Sequence, residues 1–202
     1  MKNFLGVFIE PSGSLLAAIE DRKSLLESQM PDQPYTTAPP HCTLVHGRYK
    51  LVHKWTKLLA RALEAVAPFS VSTSGWQEFP ADPMTLGGHT VAFRADLDRN
   101  LASLQQIVAK TVAPYAVLPL EQHPLRSVEP FAKSLGKYGS AFVGPHWIPH
   151  FTIGSPRVAK GSKLLEDLTA GNSKHRFSVE YVSIWQAEND SHRKLFEIPL
   201  GA

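Results

Sequence analysis

Cysteine is almost absent from this chain: its 202 residues contain one, Cys42. A lone thiol excludes an internal disulfide and a multi-cysteine metal site. Basic runs are missing too. There is no arginine-rich arm and no recognisable nucleic-acid-binding module, so the net charge of +3 and pI near 9.0 amount to a mild bias towards anionic ligands. Short RNA ends or mononucleotides suit that bias better than a long duplex. The opening apolar run, Phe4 to Ile9, is only six residues long and is stopped by Glu10 and Pro11. It fits neither a signal peptide nor a membrane span, so a cytoplasmic, membrane-free monomer is the expectation. No separable linker interrupts the chain. With 43% hydrophobic residues it can bury one sizeable core, and residues 1–202 are read as a single bilobal domain.

What is present is a repeated motif. Pro40-His41-Cys42-Thr43-Leu44 and Pro149-His150-Phe151-Thr152-Ile153 lie 109 positions apart. On a strand, residues i and i+2 point to the same face. His41 with Thr43, and His150 with Thr152, therefore each present an imidazole beside a hydroxyl. The imidazole titrates near neutrality and the hydroxyl donates to a phosphate oxygen. Two such units facing each other would hold a phosphoryl group, one histidine acting as general base and the other as general acid. A pseudo-symmetric pair does not tell which is which. Only a mixed protonation state reacts, so a bell-shaped rate profile centred around pH 6–7.5 is expected from ordinary histidine values. Cys42, between His41 and Thr43, should point the opposite way, into the core, as a structural thiol.

With both His-x-Thr motifs intact, the chain resembles the two-histidine (2H) phosphoesterase superfamily, the LigT-like or 2′-5′ RNA ligase group that includes cyclic nucleotide phosphodiesterases. The resemblance implies an α+β, bilobal, pseudo-symmetric fold, two antiparallel sheets facing a central cleft with helices outside. It implies metal-independent and cofactor-free hydrolysis or transesterification at 2′,3′-cyclic phosphates or 2′-5′ linkages, on nucleotide or RNA-end substrates. His41, Thr43, His150 and Thr152 would form the catalytic set. In related cyclic phosphodiesterases an aromatic on the first strand is available to the base, and Val7-Phe8-Ile9-Glu10-Pro11 resembles that segment, which makes Phe8 a candidate. Two other classes compete: a non-catalytic nucleotide or RNA-end binding module with the same cleft, and a metal-dependent hydrolase, which the lack of an acidic ligand beside either motif disfavours.

The repeat extends past the motifs. After His41 come a helical stretch, Leu51 to Val66, then Phe69-Ser70-Val71 opening a strand towards Trp76, then the alternating run His89 to Ala95. After His150 come a helical stretch, Lys160 to Ala170, then Phe177-Ser178-Val179 opening a strand towards Trp185, then Lys194 to Leu200. Motif and Phe-Ser-Val are separated by 28 residues in one half and 27 in the other, which suggests two β-α-β-β units over about 41–95 and 150–200. Phe4 to Ile9 reads as a strand and Leu15 to Met30 as an amphipathic helix. Pro31 to Pro40, with four prolines, reads as a loop delivering the first motif. Asp96 to Val112 reads as a bridging helix with Leu97, Leu101, Leu104 and Val108 on its apolar face.

Pro114 to Pro149 is the least periodic region, with strand-like pieces around Ala116 to Leu120 and Ser127 to Phe131. Selectivity is expected on its later part, because binding residues concentrate on loops over a rigid scaffold. Tyr138 and Trp147 are candidates for stacking on a base. Arg157, close after the second motif, is a candidate phosphate contact. His146 lies four residues before His150, but Pro149 and the β-rich residues after it argue against the helix a metal pair would need. His46, His53, His89, His123, His175 and His192 have no paired hydroxyl and are read as structural or exposed.

Overall fold

The computed structural model describes residues 4–118, 123–188 and 191–202. The run Phe4 to Ile9 forms β1 (Phe4–Ile9), an interior strand, which fits its burial from Leu5 onwards. It is followed by α1 (Gly13–Gln29), β2 (Cys42–Arg48), α2 (Val52–Leu63), β3 (Phe69–Asp82), β4 (Gly88–Ala95) and α3 (Arg99–Val112). Then come α4 (Phe131–Tyr138), β5 (His150–Gly154), α5 (Lys163–Leu168), β6 (Lys174–Val179), β7 (Tyr181–Glu188) and β8 (Ser191–Pro199). The strands make two four-stranded antiparallel sheets in the orders β2-β1-β7-β8 and β5-β4-β3-β6. The two motif strands thus occupy the same edge position, one in each sheet.

Helices cover the outer faces. Leu15, Ile19 and Leu26 form the buried stripe of α1, which packs on β5 and β6 of the second sheet although its own β1 lies in the first. Likewise α3 follows β4 of the second sheet and packs on β2 of the first, beside α2. Each half lends its helix to the other. One hydrophobic cluster consequently runs through both sheets, from Val7 and Leu44 through Trp55 and Leu104 to Phe93 and Phe151. Each fully buried side chain of this size contributes about 1.5–3 kcal/mol; among the described residues the one other cluster is small, Leu125, Leu135 and Ala141 around α4, so the two sheets share their core. Among the described residues, no helix is long and apolar enough to cross a membrane.

Four details differ from the sequence reading. The strand expected from Phe177 to Trp185 is two strands: β6 ends at Val179 and β7 starts at Tyr181 in the other sheet. The matched tripeptides instead meet each other, Phe69 opposite Val179, Ser70 opposite Ser178 and Val71 opposite Phe177. The last strands are also unlike: β4 is interior, whereas β8 is an edge. By position the counterpart of β4 is β1. Leu97 is 53% exposed because Asp98 caps α3 by accepting from the Leu101 amide, so Leu97 lies before the helix and off its apolar face. In the 114–149 region Ser127 to Pro130 make turns rather than a strand, and α4 follows. Ala116 makes one isolated bridge with Tyr49, and residues 119 and 120 lie outside the described residues.

Candidate active site

Proline sets the geometry of each motif. Pro40 and Pro149 fix φ near −65° and hold the residue before them extended, which aims the preceding carbonyl at the following imidazole. His41 Nδ1–H donates to the Pro39 carbonyl at 2.6 Å, and His150 Nδ1–H donates to the Ile148 carbonyl at 2.7 Å. A carbonyl only accepts, so the neutral rings are both Nδ1–H tautomers with the Nε2 lone pair free.

Both motif strands then bulge at the same place. In the first sheet Val7 pairs with Val45 and Phe8 with Thr43, leaving Leu44 extra. In the second, Val91 pairs with Gly154 and Ala92 with Thr152, leaving Ile153 extra. A bulge sharpens the bend of a strand and re-aims its side chains. Here it lets Cys42, Leu44 and Val45, or Phe151, Ile153 and Gly154, all point to the core, while His-x-Thr stays on the cleft side. The Leu26 side chain occupies the space a Cβ at 154 would need, 2.3 Å away, so the second bulge requires glycine there.

The edges of β2 and β5 abut. The backbone amide of His150 lies against the Cys42 thiol, which is fully buried as expected and pushed up to about 12 by burial. The Trp147 indole donates to the Thr43 carbonyl at 2.8 Å, and the Gln105 amide on α3 donates to the Leu44 carbonyl at 3.2 Å. Side chains from the second half thus satisfy the open edge of β2. His41 and His150 therefore stand on neighbouring strands, and all four predicted catalytic side chains are half-buried on the cleft faces of their sheets.

The surroundings of the two histidines differ. Phe8 stacks on His41 with ring centroids 4.0 Å apart, and its ring lies across Gly6. Phe79 on β3 packs at 5.0 Å against His150, and Arg94 is the β4 residue paired with His150. Desolvation lowers both imidazoles, His41 to about 4. The Pro39 carbonyl opposes this at His41, while His46, Lys23 and His192 add repulsion. At His150 the Ile148 carbonyl and Asp82 both oppose the burial. Asp82 itself is held by the Thr90 hydroxyl, which reaches on to Ser155.

The loop that carries His41 is pinned from below. Lys23 is 8% exposed and its ammonium donates to the carbonyls of Tyr35, Thr36 and Ala38. Burial brings it down to about 8. Its signal in the sequence is a lysine inside the apolar stripe of α1, between Ile19 and Leu26. Phe79, Arg94, Gly6 and Lys23 were all missed by sequence reasoning, since none lies near a motif in the chain.

Of the predicted binding residues, Phe8 joins the site. Trp147 needs correcting: only 6% exposed, with its indole spent on the Thr43 carbonyl, it ties the motif strands together and offers no open ring to a base. Tyr138 lies half-buried at the end of α4, its carbonyl accepting from the Tyr49 hydroxyl beside the far end of β2. Arg157 is exposed on the loop after β5, its backbone amide donating to the Gln33 side chain. Among the described residues, no group of three His, Cys, Asp or Glu side chains is arranged to hold a metal ion.

The model of the 2′-5′ RNA ligase superfamily matches residues 11–191. Among solved structures, the chain is similar to Escherichia coli LigT complexed with NADP+, at 12% identity and a TM-score of 0.55 over 98% of both chains. It is similar to TT0787 of Thermus thermophilus, at 14% identity and a TM-score of 0.63 over 98% of both. Kluyveromyces marxianus Usb1 follows at 14% identity and 0.51, over 98% of this chain and 99% of that one. At such identities the likeness is one of fold. Other structures of LigT are complexed with 3′-AMP, ATP or phosphate. Comparison with curated protein sequences gives no match.

Proposed function

This chain belongs to the 2′-5′ RNA ligase superfamily, and from that premise we propose that it is a two-histidine phosphoesterase acting on 2′,3′-cyclic phosphate or 2′-5′ phosphodiester bonds of RNA ends or nucleotides. One observation carries the reading: both imidazoles are locked through Nδ1–H to the carbonyl two residues back, leaving two Nε2 atoms, one on each of two abutting motif strands. A binding module needs no pair of identically held proton carriers. The nucleotide and phosphate complexes of LigT support the same class of ligand.

In the proposed reaction one Nε2 takes the proton of the attacking water or hydroxyl as its oxygen bonds to phosphorus. The other imidazole enters protonated and gives its proton to the departing oxygen as the old P–O bond breaks. The two histidines exchange protonation states, and bulk water resets them. Thr43 and Thr152 donate to the nonbridging oxygens, whose charge grows in the pentacoordinate transition state. Arg94, exposed and paired with His150, is placed to supply further charge. Phe8 is 7% exposed, so its role is to hold the His41 ring rather than to offer a free face to a base. Tyr138 and Arg157 stay candidate substrate contacts at the margins, one beside Tyr49 and one after β5.

The test is turnover of purified protein on a panel of 2′,3′-cyclic nucleotides and 2′-5′ oligonucleotides, with and without chelator. Chelator-resistant turnover that disappears in both His41→Ala and His150→Ala is the expected result. Activity lost to EDTA and restored by a divalent ion would turn the histidines into ligands and overturn the proposal.

A further inference from the structure

The cleft face of the first sheet continues past the motif. Paired antiparallel residues share a face, so the register sets out successive rows. Thr43, Phe8, Ser183 and Glu197 form one row; His46, Gly6, Trp185 and Lys194 form the next; Arg48, Phe4, Ala187 and His192 form the third. Successive rows are two residues apart along β1, roughly 7 Å, which suits the step between neighbouring phosphates in an extended strand.

Basic side chains gather at the far rows. The Arg48 guanidinium lies over the Phe4 ring, 5.1 Å from its centroid, and the other neighbour of that ring is the His46 imidazole at 5.4 Å. The stack holds arginine and histidine in one rigid unit, and a planar guanidinium so held is preorganised for phosphate. Among the described residues Arg48 Nε is buried without a hydrogen-bond partner, and the guanidinium is held over the Phe4 ring. His192 and His123 stand close enough to repel a proton on His46. Lys194, by contrast, is committed to Glu10 and Glu197. Gly6 keeps the passage between the rows clear of side chain except for the Phe8 ring that lies flat across it.

We propose that His46, Arg48 and His192 form a second anion subsite, which takes the next phosphate of a short oligonucleotide whose reacting phosphate lies between His41 and His150. The subsite rests on the function proposed above for its neighbour, and it predicts discrimination between substrates with one phosphate and with two.

Histidine ring resonances read the two sites separately and need no turnover. Adenosine 3′-phosphate and adenosine 3′,5′-bisphosphate serve as probes on the full chain. The bisphosphate should bind about tenfold more tightly, the scale of one added charge-assisted contact, and should shift His46 and His192 as well as His41 and His150. Arg48→Gln and His46→Gln should erase that factor and leave the monophosphate affinity unchanged, while Arg48→Lys keeps part of it. Equal affinities for the two probes, or a preference that survives both substitutions, would overturn the subsite. Inorganic phosphate gives the independent arm. Shifts at His46 and His192 that vanish in Arg48→Gln support the subsite even if the function proposed for His41 and His150 fails; shifts confined to His41 and His150 refute the subsite and leave that function standing.

Discussion

Gly6→Ala should damage the site through a single contact. A Cβ at position 6 would stand 2.0 Å from Cζ of Phe8 and 2.4 Å and 2.9 Å from its two ε carbons. Carbon atoms rest about 3.5–4.0 Å apart, so the ring must retreat by roughly 1.5 Å. The retreat disturbs His41, whose ring is 4.0 Å from that of Phe8. Forcing Phe8 off its rotamer costs about 1 kcal/mol, and loosening its stack on the imidazole costs about another 1 kcal/mol. Against this, alanine in a strand is worth about 0.5–1 kcal/mol over glycine. The net loss should be about 1–1.5 kcal/mol, with kcat/KM falling further because the proposed base or acid is no longer held. The decisive assay is a double-mutant cycle by denaturant unfolding. In a Phe8→Ala background the clash is gone, so Gly6→Ala should become neutral or stabilising, giving a coupling of about 2 kcal/mol. Additivity within about 0.5 kcal/mol, together with unchanged kcat/KM in Gly6→Ala, would refute the reasoning.

Three other perturbations follow from the same geometry. His41→Ala and His150→Ala should each lower kcat by about 10² to 10⁴ with the fold intact by circular dichroism, and Thr43→Ala and Thr152→Ala by about 10 to 10³; near-normal turnover removes a residue from the mechanism. Trp147→Phe removes the indole donor of the part-buried Thr43 carbonyl and should cost about 1–2 kcal/mol in unfolding free energy, whereas a loss below about 0.5 kcal/mol would mean that the indole bond does not hold the motif strands together. Because burial holds both imidazoles below their ordinary value, His41 at about 4, mixed protonation in the free protein peaks on the acid side of about 6.5, so the kcat/KM optimum should lie below the pH 6–7.5 expected from ordinary histidines. The sign for stability is the same: between about 6.5 and 4 the unfolded chain binds protons that the folded chain refuses, so unfolding free energy falls as pH is lowered through that window, and His41→Gln should flatten the fall.

The motif pair was legible because its chemistry is local. Histidine, hydroxyl and preceding proline sit within four residues, and a strand puts the first two on one face whatever the rest of the chain does. The broad architecture was legible for a similar reason: the element types follow hydrophobic period, and the order of elements repeats. What the sequence hid is non-local. Nothing in Phe177 to Trp185 marks the point at which the chain leaves one sheet for the other, because both segments keep strand-like alternation across Glu180. Burial of Trp147 depends on a carbonyl more than a hundred positions away, Thr43. Leu97 fitted a helical stripe until the Asp98 cap placed the helix start after it.

The asymmetry of the site was hidden for a deeper reason. The two motifs are near copies, and the matching bulges after Thr43 and Thr152 show that the backbone copies them too. Their neighbours are not copies, because the interior strand beside each motif and the loops around it come from unrelated stretches of chain. Opposite His150 on β4 stands Arg94, whereas the residue that follows the last paired residue of β1, Ile9 opposite Cys42, is Glu10. Glu10 is taken up by Trp185 and Lys194, while Arg94 stands exposed. His46 and Ser155 correspond in the same way, each the next cleft-facing residue beyond its bulge, and Ser155 is buried in hydroxyl contacts with Thr85 and Thr90. On the proposed function the two motifs supply the two proton carriers, and the strands beside them leave Ser155 buried beyond one motif and His46 exposed beyond the other. On that reading a substrate with a second phosphate extends along the His46 side, where the proposed subsite lies.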